Sequence, residues 1–198
     1  MATWENGWLN HKSVTKVPAN GTSKMPKCHT SFKRITLHNE GVDRKCDGGQ
    51  HVINLARYVR DKNIYYHFVY CPDCGQWAQI APVRAAARSM VGGAVCSAGN
   101  SANRHGRYNV QICFASYGYK DLPAPAKWKG KSAWRLLAKK LGNKPAALPF
   151  DKIIRSKSKW NNTDKGWAGH QHGPHDDHTD IQPNEFNFKA FKRDVLGL

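Results

Sequence analysis

The sequence predicts a single α/β domain with a central mixed β-sheet flanked by helices. Three observations carry this: strand-like and helix-like segments alternate along the chain, one adjacent strand pair is joined by a tight turn, and the length suits one core. The chain has 198 residues, of which 40% are hydrophobic and 23% charged, a balance that fits neither disorder nor a membrane protein. Apolar runs are short and broken by charge, so no spanning helix is expected. The start, Met1-Ala2-Thr3-Trp4-Glu5-Asn6, lacks a basic stretch followed by an apolar core, and synthesis in the cytosol without a secretory signal is expected.

Residues 1–31 are polar and turn-rich, with Pro18, Gly21 and Pro26, and read as an extended N-terminal arm. From Phe32 to His38 the residues alternate with period two, the pattern of a half-buried strand. Val52, Leu55, Ala56 and Val59 recur at i, i+3, i+4 and i+7, which predicts a helix with that stripe turned inward. Ile64 to Tyr70 is aromatic and β-branched, a strand. Cys71-Pro72-Asp73-Cys74-Gly75 then turns the chain, and Gln76–Ala81 returns as the second arm of a hairpin.

Tyr108 to Ala115 is a further strand, with Val110, Ile112 and Phe114 on one face. Lys131 to Leu141 predicts a helix presenting Trp134, Leu137, Ala138 and Leu141, stopped by Gly142. Residues 143–168 read as a long surface loop. Asn184 is placed to cap a short last helix carrying Phe188, Phe191 and Val195, halted at Gly197.

Lys and Arg number 31 against 14 Asp and Glu, a net charge of +17 that concerns partners and solubility rather than fold. Segment 120–160 holds 12 of the basic residues and two Asp. A solvated basic face and a surface for a polyanion both fit it.

Six cysteines, at 28, 46, 71, 74, 96 and 113, are expected as thiols or metal ligands in a reducing compartment. A CPxCG turn supplies half of a zinc ribbon by aiming two thiolates at one ion. A full site needs a second pair, and only the isolated Cys28 and Cys46 remain in reach of the argument. A plain hairpin turn is therefore expected at Cys71 and Cys74, with a second, structural zinc as the alternative.

Four of ten histidines, His170, His172, His175 and His178, fall within nine residues alongside Asp176, Asp177 and Asp180. Imidazole and carboxylate are donors that borderline cations prefer. A catalytic zinc needs three protein ligands and one open position. Two fit in this tract, while a third would come from a distant rigid element. His38 at a strand end is the candidate; His67, inside Tyr65-Tyr66-His67-Phe68, is its rival, although a core histidine bonded to backbone is the commoner arrangement in such a run. Spacing does not choose among the four clustered histidines.

Taken in order, Ile35-Thr36-Leu37-His38-Asn39, Tyr65-Tyr66-His67-Phe68-Val69, Val110-Gln111-Ile112-Cys113, Gly169-His170 and Asp180 resemble the zinc-dependent N-acetylmuramoyl-L-alanine amidases. These share a fold with peptidoglycan recognition proteins, and the tract from Gly166 to Asp180 is most similar to phage endolysins. The resemblance spans about residues 32–195 and implies an arm over 1–31 and a zinc amidase catalytic domain over 32–198, with no separate wall-binding domain.

It implies zinc ligands at His38, His170 and Asp180, with His172 and His175 as neighbours. It places Tyr66 and His178 as catalytic groups, His178 standing where many members have lysine. Cys113 stands where many have a glutamate. The implied reaction is hydrolysis of the amide between N-acetylmuramic acid and L-alanine by zinc-activated water, in a bacteriolytic enzyme that reaches the cell wall after holin-type release or from outside.

Peptidoglycan is the implied substrate, and anionic wall or envelope polymers are implied partners of segment 120–160. A monomer is expected. A catalytically impaired peptidoglycan-binding module is the alternative. A basic zinc-containing nucleic-acid binder is the rival from another class, with Trp128, Trp134 and Trp160 as its stacking groups. No nucleic acid is expected, because that rival leaves the His-Asp tract without a role.

Overall fold

The computed structural model describes residues 2–20, 34–41, 47–83, 85, 87, 110–116, 121–140, 166–170 and 186–198. A short hairpin comes first, β1 (Thr3–Glu5) with β2 (Trp8–Asn10). The main sheet has six strands: β3 (Val14–Lys16), β4 (Arg34–Gly41), β5 (Phe68–Tyr70), β6 (Trp77–Gln79), β7 (Val110–Ser116) and β8 (Gly166–Gly169). Their spatial order is β3-β6-β5-β7-β4-β8. Only the β5–β6 pair is antiparallel; every other pairing is parallel. The predicted α/β domain with a mixed sheet is what forms.

Helix α1 (Gln50–Asp61) buries Val52, Leu55, Ala56 and Val59, the four residues of the predicted stripe. It packs on β5, β6 and β7 from one face. The opposite face carries α2 (Lys131–Lys140) and the short α3 (Phe188–Phe191), which continues as a π-helical turn through Leu196. Gly197 ends that turn at φ 74, as expected from its freedom to adopt the left-handed region. The cap of α3 is Asn187, whose Oδ1 accepts from the Ala190 N–H at 2.9 Å. Asn184, the expected cap, and Leu141 lie outside the described residues.

Strand alternation divides the core in two. Ile35, Leu37, Phe68, Tyr70, Trp77, Val110, Ile112 and Phe114 face α2 and α3, where they meet Trp128, Trp134, Trp167 and Phe191. The rings pack mostly edge-on or tilted, as in Trp134 against Phe191 at 5.2 Å and Tyr70 against Trp134 at 5.2 Å. Such pairs add directional stabilisation to their large buried area. The other face gives Val69, Cys71, Ala78, Cys113 and Ala115 to the underside of α1.

Several expectations need correction. The loop read over 143–168 gives way at Gly166 to β8, which pairs with β4 and buries Trp167 and Ala168. The segment read as an extended arm supplies β1, β2 and the edge strand β3, and Leu9, Val17 and Ala19 are buried. The reason is non-local: Gln79 in β6 accepts from the Leu9 N–H at 2.8 Å and donates to the Gly7 carbonyl at 2.9 Å. Trp134 is buried on the helix face predicted for it, and Trp128 is buried as well, so neither is available to stack on bases as the nucleic-acid rival requires. Trp160 lies outside the described residues. Among the described residues no helix is long and apolar enough to cross a membrane.

Candidate metal and active site

β4 and β8 run parallel with Leu37 level with Gly169, so the next pair along the two strands is His38 and His170. Ile35, Leu37 and Trp167 point into the aromatic face, and period-two alternation sends His38 and His170 to the opposite one. Both side chains are buried, at 0% and 2% exposure, and their ring centroids lie 4.4 Å apart. The Tyr66 ring lies against His38 as well, with centroids 4.8 Å apart. β4 and β7 put Cys113 level with His38, and β5 and β7 put Val69 level with Cys113. A single row across the sheet therefore reads His170, His38, Cys113, Val69.

His67 takes a different part. The Gln111 N–H donates to its Nδ1 at 3.0 Å, which leaves Nε2 to carry the proton and donate to the Ala85 carbonyl at 2.9 Å. Its own backbone N–H and carbonyl pair with Gln111 and Ile80. Both ring nitrogens are committed to backbone, so His67 is a structural histidine and not a ligand. Burial, with a smaller push from His38, holds its pKa down at about 4.

Of the residues the sequence singles out, His38, His170 and Tyr66 are brought together. Asp180, His178, His172 and His175 lie outside the described residues. Zinc fits what is described: two imidazoles of facing strands stand side by side, buried, on rigid backbone, which is two thirds of a catalytic ligand set. Cys113 is a buried thiol whose Sγ–H donates to the Phe114 carbonyl at 3.4 Å, so no carboxylate stands at that position of the row.

A second constellation involves a residue that the sequence reading passed over. A ring nitrogen of His51 and the sulfurs of Cys71 and Cys74 all lie within 4.8 Å of one another. The only hint in the sequence is Asp47 four residues before His51 at a helix start, and nothing local ties it to a turn twenty residues later.

No protein-family model and no curated protein matches the sequence. Among solved structures, the fold is similar to the endolysin N-acetylmuramoyl-L-alanine amidase LysCS from Clostridium intestinale URNW. The identity is 15% and the TM-score 0.48, over 92% of this chain and 95% of that one. A likeness of this size does not reach to chemistry, and the functional reading rests on the side chains.

Proposed function

We propose that the protein is a peptidoglycan hydrolase of the endolysin type, cleaving the amide between N-acetylmuramic acid and L-alanine. The observation that carries this reading is the side-by-side placement of His38 and His170 by β4 and β8, with Tyr66 against His38. These are the three positions that the amidase resemblance assigns to metal binding and catalysis within the described residues. His38 and His170 would hold a zinc ion, with Asp180 as third ligand. Zinc bound there would polarise the scissile carbonyl and lower the pKa of a water from ~16 towards ~7.

The chain's own contributions are positional. Parallel pairing of β4 and β8 holds both imidazoles beside each other on stiff backbone. The Tyr66 phenol, carried by the segment leading into β5, is the donor available to a carbonyl oxygen that gains negative charge. His178 is proposed as the group that moves the proton between water and the leaving amine, a role suited to imidazole near neutral pH.

One observation favours a second reading, a module that binds peptidoglycan without cutting it. The row position level with His38 is the Cys113 thiol, which is no general base for water.

Purified protein incubated with peptidoglycan separates the two. Mass spectrometry should find stem peptides with a new L-alanine amino terminus. His38→Ala, His170→Ala and Asp180→Ala should each reduce that product to background with the far-ultraviolet circular dichroism retained. Tyr66→Phe should lower turnover by about 10²-fold or more while metal content is unchanged. Full turnover in His38→Ala or His170→Ala would end the metallohydrolase reading, and binding without new termini would favour the non-cutting module.

A further inference from the structure

The His51, Cys71 and Cys74 group stands apart from the His38–His170 row, at the junction of α1 with the β5–β6 hairpin. Two glycines create that junction. Gly49, at φ 97 just before α1, lies so close to Gln76 that a Cβ would sit 2.7 Å from its side chain. The first turn of α1 is thereby laid over the residues that follow Cys74. Gly75, at φ 74, packs against Gly130, where a Cβ would meet the backbone nitrogen at 2.7 Å. The turn itself is closed by the Gly75 N–H donating to the Cys71 carbonyl at 2.9 Å and the Cys71 N–H donating to the Gln76 carbonyl at 3.1 Å.

The imidazole of His51 is oriented as a metal ligand would be. Asp47 Oδ1 lies 3.0 Å from His51 Nδ1 and accepts the His51 backbone N–H at 2.8 Å. A carboxylate oxygen accepts, so in this pair Nδ1 carries the ring proton. Nε2 is left with its lone pair. It is buried and has no hydrogen-bond partner among the described residues. A carboxylate fixing the far nitrogen of a ligating histidine is the usual outer support of a metal site.

We propose that His51, Cys71 and Cys74 bind a structural zinc ion that clips the start of α1 to the β5–β6 turn. Two thiolates and an imidazole select a borderline-soft cation of zinc's kind over magnesium or calcium. Donors on one tetrahedral zinc lie about 3.5–3.8 Å apart, so atoms already within 4.8 Å close on an ion by small side-chain rotations. Three such ligands leave the fourth tetrahedral position to a water. This site is independent of the hydrolase reading, because it contains none of the residues that reading uses.

Cobalt substitution tests it with a signal the other site lacks. The His38, His170 and Asp180 set has no sulfur, so a near-ultraviolet sulfur-to-cobalt charge-transfer band reports only the cysteine site. The cobalt-loaded protein should show the band, His38→Ala should keep it, and C71S and C74S should each lose it. H51A should weaken it. Absence of the band in the unsubstituted protein, or its persistence in a C71S/C74S double variant, would overturn the proposal.

A second measurement covers variants that fail to fold. Zinc-loaded unsubstituted protein is alkylated with and without a chelator, and the modified cysteines are mapped. Cys71 and Cys74 should become modified at least about tenfold faster with chelator; equal rates at both would also overturn the proposal.

Discussion

At the scale of single residues, His67 gives the clearest pH dependence. Burial lowers its pKa from 6.5 to about 4, so as pH falls the unfolded chain takes up this proton before the folded one does. Its contribution is whole above pH 6.5 and is lost as pH falls from there towards 4, with no further change below. The shift corresponds to ~3 kcal/mol at the outer limit. Urea unfolding across that window should therefore show a steeper acid loss in the unsubstituted protein than in His67→Gln; parallel pH profiles would contradict the assignment. The sequence already pointed to a backbone-bonded histidine at this position, because a polar ring amid Tyr65, Tyr66 and Phe68 must find partners. It could not point to Gln111 and Ala85 as those partners, since both arrive from other strands and loops. His51 escaped notice for the same reason: its significance depends on two sulfurs that local spacing does not bring near.

Among the elements, legibility followed the range of the stabilising contacts. α1 was readable because four apolar residues at helical spacing suffice to define its buried stripe. β1, β2 and β3 were not, because three residues hold too little alternation to register, and their burial is decided by Gln79 some seventy residues away. Gln79→Ala would leave the Leu9 N–H and the Gly7 carbonyl without this partner in or near the core. A loss of about 1–3 kcal/mol is expected, read as a lower urea midpoint with an unchanged slope. An unchanged midpoint would mean that the N-terminal hairpin is held by other contacts. Gly75→Ala should destabilise by more than about 1 kcal/mol, through both the left-handed backbone and the contact with Gly130, with thermal unfolding as the check.

For the molecule as a whole, the charge distribution matters more than any single pair. In the described part of the basic segment, Lys127, Lys129, Arg135 and Lys139 are exposed while Trp128 and Trp134 turn inward. Among the described residues of the segment these cations are exposed and the tryptophans are not, which suits long-range attraction to an anionic polymer better than stacking on bases. If teichoic-acid-like chains are held this way, binding should weaken by about tenfold or more between 0.1 M and 1 M salt, as the Debye length shrinks from ~10 Å to ~3 Å. Co-sedimentation with purified walls measures it, and salt-independent retention would require a different kind of contact. The order of the strands has a temporal side too. In the six-stranded sheet every pairing except the β5–β6 hairpin joins distant stretches of chain, and the strand that delivers the second imidazole, beginning at residue 166, lies far downstream of the strand that carries the first. A ribosome that stalls earlier releases a fragment holding half of the donor pair. On the hydrolase reading, copies cut short before that strand are harmless to the cell that makes them, and lytic capacity waits for the second imidazole.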